Sequence, residues 1–337
     1  MLSPEIITWI QSVTSGAYSL NQITGRSNSK IFKLINNNKV YALKIYPSRT
    51  LDKRDRLSVE FDSLDFLNSN GIKNVPKNFK KSSELNIALY EWIEGSMSSK
   101  VKGTEVTDAL NFIKHLKHLS RSKLNLPKQL ASESCLSVKE LLRQIDKRFA
   151  KLNNLKNEPD LKNFLNNDFK PLFDELNSKI ISNWNFSWHY DNNLAKKLQL
   201  LSPSDFGFHN AIHSKDNGII YIDFEYFGWD DPVKLTSDFI WHAGMDIESE
   251  SKAVWLKGMQ NIFSDDINFN SRFKLCHPLF GLRWCMILLN EFLPNVWMVR
   301  KHANSKKNKH YQEIKELQLN KAISYFIKVK EIVYEIK

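Results

Sequence analysis

Apolar and polar positions alternate through the first third of the chain. In "KIFKLINNNKVYALKIYP" (30–47) two such runs flank "NNNK", which predicts a β-hairpin. The period changes in "DKRDRLSVEFDSLDFLNSNG" (52–71), where Leu57, Phe61, Leu64 and Leu67 fall on one helical face and Gly71 ends the helix. "NIALYEWIEG" (86–95) reads again as a strand that stops at Gly95. Beyond it the helical period dominates, over about 105–121, 136–157, 160–182, 234–245, 250–263, 271–292 and 311–335. Short strands such as "GIIYIDF" interrupt it within 202–232, and no internal repeat is present. The pattern predicts an α+β protein of two lobes: a small β-rich N-terminal lobe, residues 1–95, and a large helical C-terminal lobe, residues 96–337.

Composition narrows the class. The 337 residues are 42% hydrophobic and 25% charged, which is ordinary globular material. No stretch approaches the ~20 apolar residues of a membrane span. The start, "MLSPEIITWIQSV", lacks the basic and small-residue signals of a secretory leader. Cys135, Cys276 and Cys285 form no C-x-x-C pair and stand beside no His at metal spacing, so neither a disulfide framework nor a zinc site is expected. A cytoplasmic protein with no membrane partner follows.

The balance is basic, 48 Lys+Arg against 37 Asp+Glu, a formal +11. No zinc finger, aromatic RNA-binding strand or arginine-rich arm accompanies it, and the densest basic run, "KHANSKKNKHYQ" (301–312), reads as a helix-to-helix loop. No nucleic-acid partner is therefore expected. A basic surface equally suits an enzyme that handles nucleotide phosphates.

Four places carry chemistry. Strand alternation puts Ala42 and Lys44 of "VYALKIYP" on one face, a flat wall with a cation at its end. That suits a base ring and its phosphates, although a lone Lys also snorkels from edge strands. Glu60, 16 residues on, lies near the edge of the apolar helix face, where it can pair with Lys44 or simply be solvated. Asp205 and Asn210 stand five apart in "SPSDFGFHNAI". Asp223 ends the buried run "GIIYI", and the turn "SKDNG" makes a hairpin that brings Asn210 and Asp223 together. Two oxygen ligands plus substrate phosphates is how Mg²⁺ prefers to bind. Asp205 then remains to accept a proton from an attacking hydroxyl.

Lys44, Glu60, D-x-x-x-x-N at 205–210 and "IDFE" at 222–225 together resemble the aminoglycoside phosphotransferase/choline kinase family, a branch of the protein-kinase-like fold. The resemblance runs from about Thr24 to Phe239. It implies a nucleotide loop in "ITGRSNSKIFKL", with Gly25, Ser27, Asn28 and Ser29 over the phosphates. It implies a hinge at about 90–95 in "LYEWIEG", where the backbones of Glu91 and Ile93 would bond adenine and Tyr90 would back the pocket. "DDPVKLTSDF" resembles the segment after the metal loop, with Asp231 as a cap before Pro232 and Asp238 as a brace. The roles implied are ATP as co-substrate, Lys44 on its phosphates with Glu60 orienting it, Asn210 and Asp223 on Mg²⁺, and Asp205 as base.

Asp205-Phe206-Gly207 has the letters of the protein-kinase metal tripeptide, but spacing rejects that reading. A catalytic Asp would then lie about 18 residues earlier, near Ser187, and the nearest candidate, Asp191, has Lys196 rather than Asn five positions on. The family pattern H-G-D-x-H-x-x-N is departed from at two places, Pro203 and Gly207, which replace its histidines, and His209 sits two positions late. Support for the transferring phosphate then falls to Lys44, the metal or His209, if His209 is not simply packed under the loop.

The acceptor is expected against the segments after 240. Glu225 and Asp223 form an acidic pair suited to an amine, Trp241 or Trp284 offers a cation–π face, and Arg283 suits an acidic or sugar-phosphate acceptor instead. Each of these is also an ordinary core residue. The resemblance implies a small hydroxyl metabolite such as a sugar, an amino alcohol or an aminoglycoside-like compound. The absence of an A-P-E activation segment argues against a protein substrate. A non-catalytic nucleotide-binding regulator and a basic nucleic-acid-binding protein are the alternatives; oligomeric state stays open.

Overall fold

The computed structural model describes residues 2–23, 29–37, 39–50, 52–97, 103–122, 125–183, 190–302 and 311–335. In chain order the elements are α1 (Pro4–Val13), β1 (Tyr18–Ile23), β2 (Lys30–Asn36), β3 (Lys39–Ile45), α2 (Arg56–Ser69), β4 (Asn78–Ser82), β5 (Ile87–Glu91), β6 (Gly95–Ser96) and α3 (Gly103–Ser120). Then come α4 (Val138–Asn153), α5 (Pro159–Asn163), α6 (Lys170–Asn183), β7 (Leu200–Ser202), β8 (Ala211–Ser214), β9 (Gly218–Tyr221) and β10 (Gly228–Asp230). The chain closes with α7 (Pro232–Trp241), α8 (Ser249–Ile262), α9 (Phe269–Leu288), α10 (Pro294–His302) and α11 (Tyr311–Glu335). None of the described helices is long and apolar enough to cross a membrane.

Two compact units result. The first comprises Met1–Ser98, Phe208–Phe227 and Trp297–Asn308; the second comprises Ser99–Gly207, Gly228–Val296 and Lys309–Lys337. The segment 208–227, which carries Asn210 and Asp223, thus groups with the N-terminal residues, where hydrophobic patterning assigns it to the helical part. The physical reason is a strand pairing: β6 adds to the β8–β9 hairpin, with Gly95 opposite Ser214 and Ser96 opposite His213. Only glycine fits there, because a Cβ at Gly95 would stand 2.1 Å from the His213 carbonyl oxygen.

The main sheet of the first unit is antiparallel in the order β1-β2-β3-β5-β4. Leu43 faces Leu89 across β3–β5, and Ile45 faces Ile87. Period-2 alternation sends these toward Ile10 of α1 and Leu34, a small apolar core. The same alternation sends Ala42, Lys44, Ala88 and Tyr90 to the opposite face. Helix α2 starts where the Asp55 carboxylate accepts the Ser58 N–H at 3.2 Å. Its buried stripe is Leu57, Glu60, Ser63, Leu64 and Leu67, so Glu60 sits inside the stripe rather than at its edge.

In the second unit α9 is the central helix, with α4, α7 and α11 packed around it, while α3 packs on α8 and β7. Ser137 caps α4 by accepting the Glu140 N–H; Asp231 caps α7 ahead of Pro232, as the sequence predicts. The helical run expected over 160–182 is broken into α5 and α6 by a π-helical stretch, Phe164–Phe169, whose Phe164, Leu165 and Phe169 are buried. The run expected over 271–292 is α9 closed by a 3₁₀ turn, Leu289–Phe292.

Close approach on α9 depends on one glycine. A Cβ on Gly281 would lie 2.5 Å from Val329 of α11 and 2.7 Å from the Trp241 ring of α7. Gly281→Ala should therefore destabilise the protein by about 1–3 kcal/mol through overpacking, although alanine outranks glycine by about 1 kcal/mol in an unhindered helix. Urea unfolding followed by circular dichroism measures the difference; a stabilised variant would show the helices to be less tightly packed than this.

Candidate active site

The first unit assembles a buried ion cluster on the Ala42–Lys44 face of its sheet. Lys44 Nζ lies 2.6 Å from Glu60 Oε2 on α2 and 2.6 Å from Asp223 Oδ1 after β9. A third carboxylate, Glu225 Oε2, is 3.5 Å away. The Tyr46 hydroxyl donates to Glu60 Oε2 at 2.6 Å and shares a 2.7 Å hydrogen bond with the Tyr90 hydroxyl. Arg56, one turn before Glu60, pairs with the other oxygen of Glu225 and with Asp52 at 2.6 Å, and its guanidinium stacks on the Tyr226 ring.

Charge decides what this cluster does. Burial alone would lower the Lys44 ammonium, but Asp223, Glu60 and Glu225 together hold its pKa well above the ordinary value. Lys44 is therefore a permanent cation. Burial, and next the negative charge of Asp223, push the Glu225 carboxyl up to about 7. Lys44, Arg56 and Arg54 face four carboxylates, Glu60, Asp223, Glu225 and Asp52, so positive and negative groups are nearly balanced within the cluster. Among the three carboxylates on Lys44, Asp223 alone reaches solvent appreciably, its side chain 24% exposed against 5% for Glu60 and 4% for Glu225.

The hairpin expected from the turn is present, and it sets Asn210 opposite Ile222, the residue before Asp223. The Ile222 N–H donates to the Asn210 carbonyl at 2.9 Å, immediately beyond the β8–β9 ladder. Asp223 adopts a left-handed φ of 68°, rare for a non-glycine residue, and this turn aims its carboxylate at Lys44. Hard oxygen donors, among them the Asp223 carboxylate that reaches solvent, fit a divalent cation such as Mg²⁺. Ala42 is opposite Tyr90 in the β3–β5 register. The Glu91 N–H donates to the Lys77 carbonyl at 2.8 Å. Ser29 is buried at the start of β2, while Gly25, Ser27 and Asn28 lie outside the described residues.

Asp205 belongs to the second unit, on the loop after β7. Phe206 anchors that loop in the core: its ring stacks on Phe112 with centroids 5.5 Å apart and lies 6.2 Å from Phe239 and Trp255. Ser204 adopts φ 66°, and the Asp205 N–H closes a three-residue turn on the Pro203 carbonyl at 2.9 Å. Buried Lys234, held by Asp230 at 2.8 Å and Asp238 at 3.3 Å, donates to the Ser204 hydroxyl at 3.1 Å. The Asp205 side chain is 37% exposed, and its Oδ1 lies 3.2 Å from His242 Nε2.

The expected acceptor residues are held in different ways. Glu225 is committed to Arg56 and Lys44. Trp241 is buried, donating to the His277 carbonyl at 3.0 Å and stacking on that ring. Arg283 is buried 3.5 Å from Asp238, and Trp284 donates to Asp238 Oδ1 at 2.9 Å while its ring meets His242. His209 lies in the 3₁₀ turn Phe208–Asn210 of the first unit. Asp238 braces the loop as expected, but it does so through Lys234. Reasoning from the sequence passes over Arg56, Lys234 and His242. For Arg56 the available signal is its i,i−4 spacing from Glu60 on the buried helix stripe.

Solved structures with this fold are kinases and related phosphotransferases. The choline kinase LicA from Streptococcus pneumoniae is 16% identical, with a TM-score of 0.59 over 96% of this chain and 98% of that one. The aminoglycoside phosphotransferase APH(2'')-IIa, solved with gentamicin, is 15% identical, with a TM-score of 0.60 over 97% and 96%. The spectinomycin phosphotransferase APH(9)-Ia, solved with ADP and spectinomycin, is 12% identical, with a TM-score of 0.56 over 94% and 98%. These likenesses establish the protein-kinase-like fold. No curated protein matches the chain. Residues 19–267 match the phosphotransferase enzyme family, APH, and the chain belongs to that family. It is a small-molecule phosphotransferase that acts on hydroxyl groups.

The ion cluster makes its own prediction. Removing Arg56 leaves buried Glu225 with Lys44 alone, 3.5 Å away, and Asp52 with Arg54 alone, so Arg56→Met should cost about 3 kcal/mol. Thermal and urea melts of the variant test this; an unchanged midpoint would contradict the assigned network.

Proposed function

We propose that the protein transfers the γ-phosphate of Mg·ATP to a hydroxyl of a small metabolite, a sugar, an amino alcohol or an aminoglycoside-like compound. The observation that carries this reading is the Lys44 ammonium, held at 2.6 Å from both Glu60 and Asp223. A cation so fixed suits nucleotide phosphates, and a side chain already positioned needs no rearrangement when charge develops. The family membership and the compounds named for the structural neighbours agree with it.

Each residue has a role. Lys44 binds the α- and β-phosphates, and Glu60, itself fixed by Tyr46, orients it. Asn210 and Asp223 hold Mg²⁺. When bound, Mg²⁺ neutralises charge on the phosphates. Adenine lies on the Ala42 side of the sheet with Tyr90 behind it. Because the Glu91 N–H bonds Lys77, Glu91 meets the base through its carbonyl, and Ile93 supplies the N–H. Asp205, solvent-accessible on an anchored loop, accepts the hydroxyl proton. Trp284, next to His242, is a better candidate for the acceptor's surroundings than Trp241, whose ring is in the core.

A library of hydroxyl-bearing metabolites screened for stimulated ADP release from Mg·ATP tests the reaction. With the acceptor so found, Asp205→Asn should lower turnover by about 10²–10⁴-fold and leave the thermal shift produced by ATP intact. Substantial residual transfer by this variant would sink the role given to Asp205.

A further inference from the structure

We propose that His242, at the C-terminal end of α7, is the positioning residue that sets the orientation of Asp205, acting as a neutral imidazole with its proton on Nε2. The inference rests on the reading of Asp205 as the proton acceptor. It is carried by two hydrogen bonds to one ring. The backbone N–H of Gly244 lies 3.0 Å from His242 Nδ1. A backbone N–H can only donate, so Nδ1 presents its lone pair and the proton of the neutral ring is on Nε2. Nε2 is the atom 3.2 Å from Asp205 Oδ1, so the histidine donates and the carboxylate accepts.

The ring cannot turn away from this task easily. His242 follows directly on α7, and a turn closes behind it, with the Met245 N–H on the His242 carbonyl at 3.2 Å. The Trp284 ring packs against the imidazole edge to face, 4.7 Å between centroids at 72°. Trp284 is in turn fixed by its hydrogen bond to Asp238, which is paired with buried Lys234. Lys234 also holds Ser204, the residue before Asp205. The backbone and the side chain of the base are thus tied to the same buried ion group on α7, by two separate routes.

An aspartate needs this second tie. Its terminal torsion is broad, so a carboxylate held only by its backbone presents its oxygens over a wide range of angles. One donated hydrogen bond on Oδ1 fixes the carboxylate plane. The acceptor hydroxyl then meets Oδ2. As its oxygen forms the bond to Pγ, the Pγ–O bond to ADP breaks with the electron pair leaving on ADP, and the hydroxyl proton passes to Oδ2. His242 keeps its Nε2 proton throughout and still donates to Oδ1. It holds the base without exchanging a proton.

The test compares His242→Gln, whose side-chain amide reaches the Nε2 position and donates, with His242→Asn and His242→Ala, which do not. ADP release from Mg·ATP, with the acceptor found by the metabolite screen or with water alone, gives the rate. The Ala and Asn variants should lose about 10–100-fold in kcat at unchanged KM for ATP, and Gln should recover most of the loss. Long-range ¹H–¹⁵N correlation of the wild-type imidazoles should show neutral His242 protonated on Nε2. Equal activity in the Gln and Ala variants, with melting curves like wild type, overturns the proposal, and so does an Nδ1–H tautomer. If Asp205→Asn leaves ADP release unchanged, the reading of Asp205 itself fails; if it abolishes release while His242→Ala does not lower it, only the positioning role fails.

Discussion

An ammonium buried among three carboxylates is tolerable only when the surrounding structure fixes every partner. Two charges out of water cost several kcal/mol each before any attraction is counted, and Lys44 has Glu60, Asp223 and Glu225 within 3.5 Å. The first unit of this phosphotransferase is organised around that constraint. β3 supplies the cation, α2 supplies Glu60 and the second cation Arg56, and the β8–β9 hairpin supplies Asp223 and Glu225. The pairing of β6 with β8 through Gly95 keeps that hairpin with the sheet that carries Lys44. One electrostatic requirement thereby joins three segments distant in sequence.

The second unit solves a different problem. In the proposed reaction Asp205 must be exposed enough to meet a substrate, yet fixed. Phe206 gives the loop an apolar anchor among Phe112, Phe239 and Trp255, and Lys234 gives it a polar one through Ser204. The left-handed backbone at Ser204 and at Asp223 places two non-glycine residues in a costly conformation. Both aim a carboxylate that the proposed chemistry uses.

Sequence reasoning reaches part of this. Strand alternation and a helical stripe make Lys44 and Glu60 legible, because both signals are local. The hairpin between Asn210 and Asp223 is legible from a turn between two short apolar runs. Phe206 and Gly207 are a coincidence of letters, and spacing suffices to show it; the structure adds that Phe206 is a core residue. His242 leaves no such trace. It stands 37 residues from Asp205 and meets it only because α7 ends there. Arg56 reads as one more charge in "DKRDRLSVEF" until Glu225 is seen beside it. The grouping of 208–227 with the N-terminal unit depends on a two-residue strand, Gly95–Ser96, too short for any period to reveal.

Calorimetric titration of ATP with and without Mg²⁺, on the wild-type protein and on Asp223→Ala, tests the central claim most directly. The account predicts that Mg²⁺ tightens ATP binding to the wild type and that this gain disappears in the variant. ATP binding indifferent to Mg²⁺ in the wild type, or equally strengthened by it in Asp223→Ala, would contradict the assignment of Asp223 and with it the use made of the Lys44 cluster.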